Sequence, residues 1–291
     1  MAAAAEPDDP FAHTRMTLGE HLDELRKRLF RGVVAVMVAF ALALTFNVEI
    51  TEVLLRPFRQ IVVQLNEHYV AEARAKVDKD PALGPRYFAP DGSFLLAIDE
   101  RLEAQSPTET MWFVLKVAGY AALVLGSPIL LWQVWQFVAA GLYPRERRWV
   151  FYFFPPALFM MLAGVLFSYF VIVPFGMFYS MQTTPIELVK NNIRLEYYFE
   201  FLLTLCFGMG LVFQLPILMT FLGLVGLVQA GTFANLRGYF VVAAFVVAAF
   251  LTPGPDVFSQ VAMAGPMILL YEIGILGARF AARRREAPSL A

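Results

Sequence analysis

The sequence predicts an all-α integral membrane protein: six transmembrane helices, both termini cytoplasmic, in a concave bundle of kinked helices. Three observations carry this. The chain is 59% hydrophobic, with 28 Phe and only 16% charged residues, and its mean hydropathy is +0.61. A chain of that composition lacks the polar side chains to cover a water-soluble globule. Apolar runs recur at lengths that suit a hydrocarbon core about 30 Å thick, at a rise of about 1.5 Å per helical residue. Lys and Arg gather on one side of the successive runs.

The N-terminus, "MAAAAEPDDPFAHTR", carries acids where a secretory signal carries bases, and no small-residue cleavage site follows the first apolar run. That run is read as a retained anchor, and the acids argue against an organelle transit peptide, leaving a bacterial plasma membrane. Thr17-Leu-Gly-Glu20 fits a capping box, so a helix begins at Thr17 and runs into the first span, residues 31–48. Residues 1–30 form a cytoplasmic N-terminal helix region, and 49–110 a long extracytoplasmic loop. Within that loop, "RYFAPDGSFLLA" sets Pro-Asp-Gly between two β-prone runs, which predicts a small hairpin.

Further spans fall at 111–140, 150–174, 197–223, 238–252 and 259–279, followed by a basic cytoplasmic tail at 280–291. The fifth is roughly 20 Å long, short of the hydrocarbon thickness. The turn after it is "TPGPD", Thr252–Asp256. Pro128, Pro155, Pro156, Pro174 and Pro266 are expected to kink or interrupt helices and so curve the molecule. Basic clusters at 26–31, 145–148 and 279–285 place both termini inside, while the short outer loops hold only Lys190 and Arg194. Residues 1–291 read as one membrane domain without an internal repeat.

Carboxylates interleave with the cytoplasmic bases. In "GEHLDELRKRLFRG", Glu20, Glu24 and Arg28 recur every four residues and Asp23 precedes Lys27 by four. Intrahelical pairing, at about 0.2–0.5 kcal/mol per pair, accounts for that spacing. In "LYPRERRWV", Glu146 sits among arginines, where a local ion pair is the plain account. Taken together, two carboxylates at the cytoplasmic surface also match two guanidinium groups, each forming charge-assisted, often bidentate hydrogen bonds.

Polar residues inside the spans need partners. Lys116 and Glu200 lie near the outer boundary and snorkel. The Gln214 amide requires a neighbouring helix or a separate subunit. Glu272 requires a buried hydrogen bond or a neutral carboxyl. Cys206 lies in an apolar run and packs. Nucleotide hydrolysis lacks a phosphate-binding loop motif. His13, His21 and His68 are scattered, so neither a metal nor a cofactor is expected, and no basic face suggests nucleic acid.

The stretches "HLDELRKRL", "SPILLWQVWQFVAAGLYPRERR", "SYFVIVPF", "FQLPI", "LTPGPDVFSQ" and "YEIG", in that order along six spans, resemble the TatC family, the polytopic receptor subunits of twin-arginine protein translocases. The resemblance implies a non-enzymatic receptor for folded precursors bearing Arg-Arg signal peptides, driven by the proton-motive force. It implies a multimeric complex with the single-span proteins TatA and TatB. It maps the family's arginine-binding carboxylates onto Glu24 and Glu146, and further marked positions onto Arg26, Pro57, Phe137, Tyr169 and Asp256. Partner docking is expected around Gln214 and Gln260. Many relatives carry glutamate at the position of Gln214, segment 62–104 exceeds the family loop, and "TPGPD" is one residue longer than the usual form. The rival reading is a secondary transporter using Glu200, Gln214 and Glu272. An intramembrane enzyme would lack a paired nucleophile and base.

Overall fold

The computed structural model describes residues 18–143, 146–183, 187–188, 193–251 and 257–286. Helix α1 (Leu18–Thr45) is followed by α2 (Asn47–Lys79), the short α3 (Gly84–Tyr87) and α4 (Pro107–Ala140). Then come α5 (Arg147–Phe167), α6 (Val173–Gln182), α7 (Leu195–Val212), α8 (Leu215–Val225), α9 (Ala230–Asn235), α10 (Arg237–Leu251) and α11 (Val257–Glu286). Among the described residues, five helical segments are long and apolar enough to cross a membrane: α1, α4, α5 through α6, α7 through α8, and α11. The apolar α10 makes the sixth; its 15 residues rise only about 22 Å. The capping box at Thr17 lies outside the described residues, as does the Thr252–Asp256 turn.

Segment 49–110, expected as a loop with a hairpin, is mostly helix. The 33-residue α2 buries Phe58, Ile61, Val62, Leu65, Tyr69 and Ala73 and exposes Arg59, Gln60, Gln64 and Glu67. This is an amphipathic stripe of helical period, with too many polar residues to register as an apolar run. The hairpin is reduced to one antiparallel bridge, Phe88 to Phe94. It closes on Gly92, whose φ of 81° suits a residue without Cβ.

Proline chemistry shapes the spans locally, but Pro128, Pro155, Pro156 and Pro266 all lie inside continuous helices. At Pro174 the missing N–H leaves no donor for the carbonyl four residues back, and Ser168–Ile172 widen into a π segment. Ahead of Pro216 the fourth span breaks at Phe213–Gln214 and restarts as α8. Pro57 of α2 likewise cannot donate to the Val53 carbonyl. The Tyr169 hydroxyl donates to that oxygen at 2.5 Å, and the Tyr198 hydroxyl donates to Leu54 O at 2.6 Å. Two tyrosines from different spans thereby fasten the start of α2.

Half of the most apolar window of α7–α8 is buried, against 11% for α1, so α7 is central and α1 peripheral. Close helix approaches depend on glycine. A Cβ on Gly164 of α5 would stand 2.6 Å from Met209 O of α7, and one on Gly277 of α11 would stand 2.1 Å from Thr220 Oγ1 of α8. Small residues at such crossings are how membrane helices gain packing where no hydrophobic drive between them exists.

Candidate functional site

The cytoplasmic ends of α1 and α4 form one antiparallel seam. Gly126 lies against Val36 and Gly32 against Leu130, and a Cβ at Gly141 would stand 3.4 Å from His21 Cε1. The His21 ring stacks on Phe137, centroids 4.4 Å apart and planes at 28°. The seam fixes where the predicted residues fall. Glu24 is one turn along α1 from His21; Glu146 is five residues beyond Gly141. Both carboxylates therefore belong to the same end of the molecule.

Glu24 is half-buried and accepts from Arg28, whose Nε and Nη2 each lie 2.6 Å from Oε1. The pairing expected from four-residue spacing is formed. Glu146 is half-buried at the entry to α5; its N–H donates to Tyr143 O at 2.8 Å and its carbonyl accepts from Trp149 N–H at 2.9 Å. The Glu146 side chain does not cap the helix. A carboxylate at this position is favoured by the partial positive charge of the helix N-terminus. Arg26, Lys27, Arg31, Arg147 and Arg148 are exposed around the two acids.

One group in this seam was not anticipated. Gln133 of α4 has a buried side-chain oxygen without a hydrogen-bond partner among the described residues, a condition that costs about 1–3 kcal/mol. The rule that flagged Gln214, that an amide inside a span must find a partner, applies equally to Gln133.

The remaining predicted residues lie elsewhere. Gln214 Nε2 donates to Ala157 O of α5 at 3.0 Å, so its partner is in the same chain. Gln260 Nε2 donates to Phe245 O of α10 at 3.1 Å. Asp256 is outside the described residues. Glu272 is not buried: it pairs with Arg237 at 2.7 Å, with side chains 41% and 48% exposed. Lys116 pairs with Glu196 at 2.8 Å. A cavity of about 350 Å³ lies between α2, α4, the α5 end and α7, lined by Leu54, Tyr120, Val165, Tyr169, Leu203 and Cys206 among others. Glu200, Gln214 and Glu272 are absent from its lining. Among the described residues no cluster of His, Cys, Asp or Glu is arranged to hold a metal ion.

These features define a polytopic α-helical membrane protein with half-buried carboxylates among exposed bases at its cytoplasmic end. Residues 20–266 match the family model described as TatC, Sec-independent protein translocase protein. The chain belongs to the TatC family. It is 34% identical over 265 residues to the Sec-independent protein translocase protein TatC of Koribacter versatilis, covering 89% of this chain and 84% of the relative. It is 33% identical over 283 residues to that of Azotobacter chroococcum, covering 96% and 95%. Among solved structures, the crystal structure of a twin arginine translocase receptor, TatC, matches with a TM-score of 0.70 and 28% identity, covering 91% of this chain and 100% of that one. The chain is thus a multi-pass protein of the bacterial inner membrane and a translocase component, not an enzyme.

Proposed function

We propose that this chain is the receptor and core component of a twin-arginine translocase, binding Arg-Arg signal peptides of folded precursors at its cytoplasmic face. Glu24 and Glu146 accept the two guanidinium groups, Arg26 stands exposed two residues from Glu24, and Phe137 holds the start of α1 through its stack on His21. The observation that carries this reading is the seam, which brings carboxylates from positions far apart in the chain to one cytoplasmic end. The apolar part of the signal then follows the walls of the bundle. TatA and TatB dock along the short α10 and α11, near Gln214, Gln260 and Asp256, in a multimeric complex that draws on the proton-motive force.

The test is binding of an Arg-Arg signal peptide, and of its Lys-Lys counterpart, to the full chain in detergent. Glu24→Ala and Glu146→Ala each weaken the Arg-Arg peptide, the double variant loses it, and Lys-Lys binds poorly because a point charge cannot engage a carboxylate bidentately. Full affinity in the double variant, with equal binding of the Lys-Lys peptide, sinks the assignment.

A further inference from the structure

Two features of the seam conflict unless they are connected. Glu24, the acceptor assigned to a visiting arginine, is already held by Arg28. Meanwhile Gln133 offers a buried oxygen to which nothing among the described residues donates.

The register of the seam connects them. With Val36 at Gly126, Gly32 at Leu130 and His21 at Gly141, Gln133 falls opposite Leu29, one position from Arg28. On α4 it shares a helical stripe with Gly126, Leu130, Phe137 and Gly141, because the steps between them are three or four residues. On α1, Arg28 follows His21 by seven residues, two helical turns, and precedes Gly32 and Val36 by steps of four, which sets it on their stripe. Arg28 has a planar fork of five N–H donors, and its contacts to Glu24 use Nε and Nη2 on a single oxygen.

We propose that Gln133 is the alternative acceptor for Arg28, so that the Glu24–Arg28 pair is a two-position device. In the empty receptor Arg28 neutralises Glu24. When a guanidinium of the visitor takes Glu24, Arg28 turns to the Gln133 oxygen, which is neutral and so does not compete for the visitor's charge. A second cation beside Glu24 is thereby moved off, and the unpaired acceptor is satisfied in the occupied state only. This inference rests on Glu24 being the peptide's acceptor; it adds a positioning residue that acts through Arg28.

The experiment is a double-mutant cycle on the full chain, read as Kd for a fluorescent Arg-Arg signal peptide. Gln133→Leu removes the acceptor and weakens binding about tenfold, the size of one lost hydrogen bond to a charged group. In the Arg28→Leu background the same substitution changes Kd less than twofold, because no displaced cation remains to be housed. Gln133→Glu, which keeps an acceptor and also guards against a folding defect peculiar to leucine, binds at least as tightly as the unaltered chain. An equal loss from Gln133→Leu with and without Arg28 overturns the proposal, since Gln133 would then act on the peptide or the fold directly. Weakening by Gln133→Glu equal to that by Gln133→Leu overturns it too. Undiminished affinity in Glu24→Gln overturns the site reading itself, a result separable from any behaviour of the Gln133 variants.

Discussion

The two ends of this molecule handle charge differently. On the outer side, Lys76 of α2 reaches Glu187, in the segment after α6, at 2.8 Å and Glu72 at 3.0 Å. Tyr87 donates to the same Glu187 carboxylate, and Arg86 stands 3.7 Å from it. Segments about a hundred positions apart are joined by groups that satisfy one another. On the inner side, at the α1–α4 seam, Glu24 pairs with Arg28 within a single helix turn, the neighbouring bases are exposed, and the Gln133 oxygen has no partner among the described residues. A network closed across distant segments holds a fold together. An open one, with spare acceptors and unspent donors, is suited to a visitor.

Swapping the disruptions tests this contrast most severely. Removing both inner carboxylates takes away the two charge-assisted contacts proposed for the signal peptide, about 1.5–3 kcal/mol each, and is expected to lower its affinity about a hundredfold or more. Thermal stability of the detergent-solubilised chain changes little. Lys76→Met with Glu187→Ala does the reverse: peptide Kd stays unchanged while protease cleavage within α2 and α3 accelerates. If the outer double variant lost the peptide, the division of labour between the ends would fail.

A smaller effect belongs to the tyrosines that fasten α2. Tyr169→Phe leaves the Val53 carbonyl without the hydroxyl that replaces the donor Pro57 cannot supply, at about 0.5–1.5 kcal/mol. Tyr198→Phe costs less, because the Leu54 carbonyl keeps the N–H of Phe58 as its helical donor. Melting temperatures of the two variants check the order; a larger drop for Tyr198→Phe would show that proline is not the reason for the Tyr169 contact.

The legibility of the sequence follows the same division. The lipid-facing spans were readable because a bilayer imposes length and composition directly, and residues 111–140 against Pro107–Ala140 is close agreement. The 33-residue α2 was not read as a helix, since its stripe is diluted by polar residues on the solvent side and only the period of Phe58, Ile61, Leu65 and Tyr69 betrays it. Glu24 and Glu146 stood out as acids among bases, yet their common end depends on the α1–α4 register, a tertiary fact. Glu272 was misjudged because Arg237, 35 positions away, is set beside it only when α10 packs on α11. Gln133 went unremarked although the amide rule applied to it, because a hydrophobic window conceals one polar residue among many apolar ones.

The gentlest probe of the contrast is pH on the outer network. Hydrogen bonds from Lys76 and then Tyr87 hold the Glu187 carboxyl below its ordinary value of 4.5. The bond to Glu187 likewise raises Lys76 above 10.5, and that to Tyr87 raises the phenol above 10.0. A depressed carboxyl contributes stability that is complete above its unfolded value and lost as pH falls through the folded one. Raised groups contribute below their unfolded values and lose that contribution as pH rises through the folded ones. The contact is therefore at full strength between about pH 4.5 and pH 10. Hydrogen-exchange protection of α3 and the end of α2 should be level across that window and decline below it, and Glu187→Gln should reduce the level and flatten the acid decline. Lys76 and Glu187 are partly exposed, so screening keeps the change small and added salt should shrink it further. Signal-peptide affinity measured in parallel is expected to be unchanged by Glu187→Gln, because the residues proposed to bind the peptide lie at the opposite end. An affinity that fell with Glu187→Gln would mean that the two ends are coupled through the bundle.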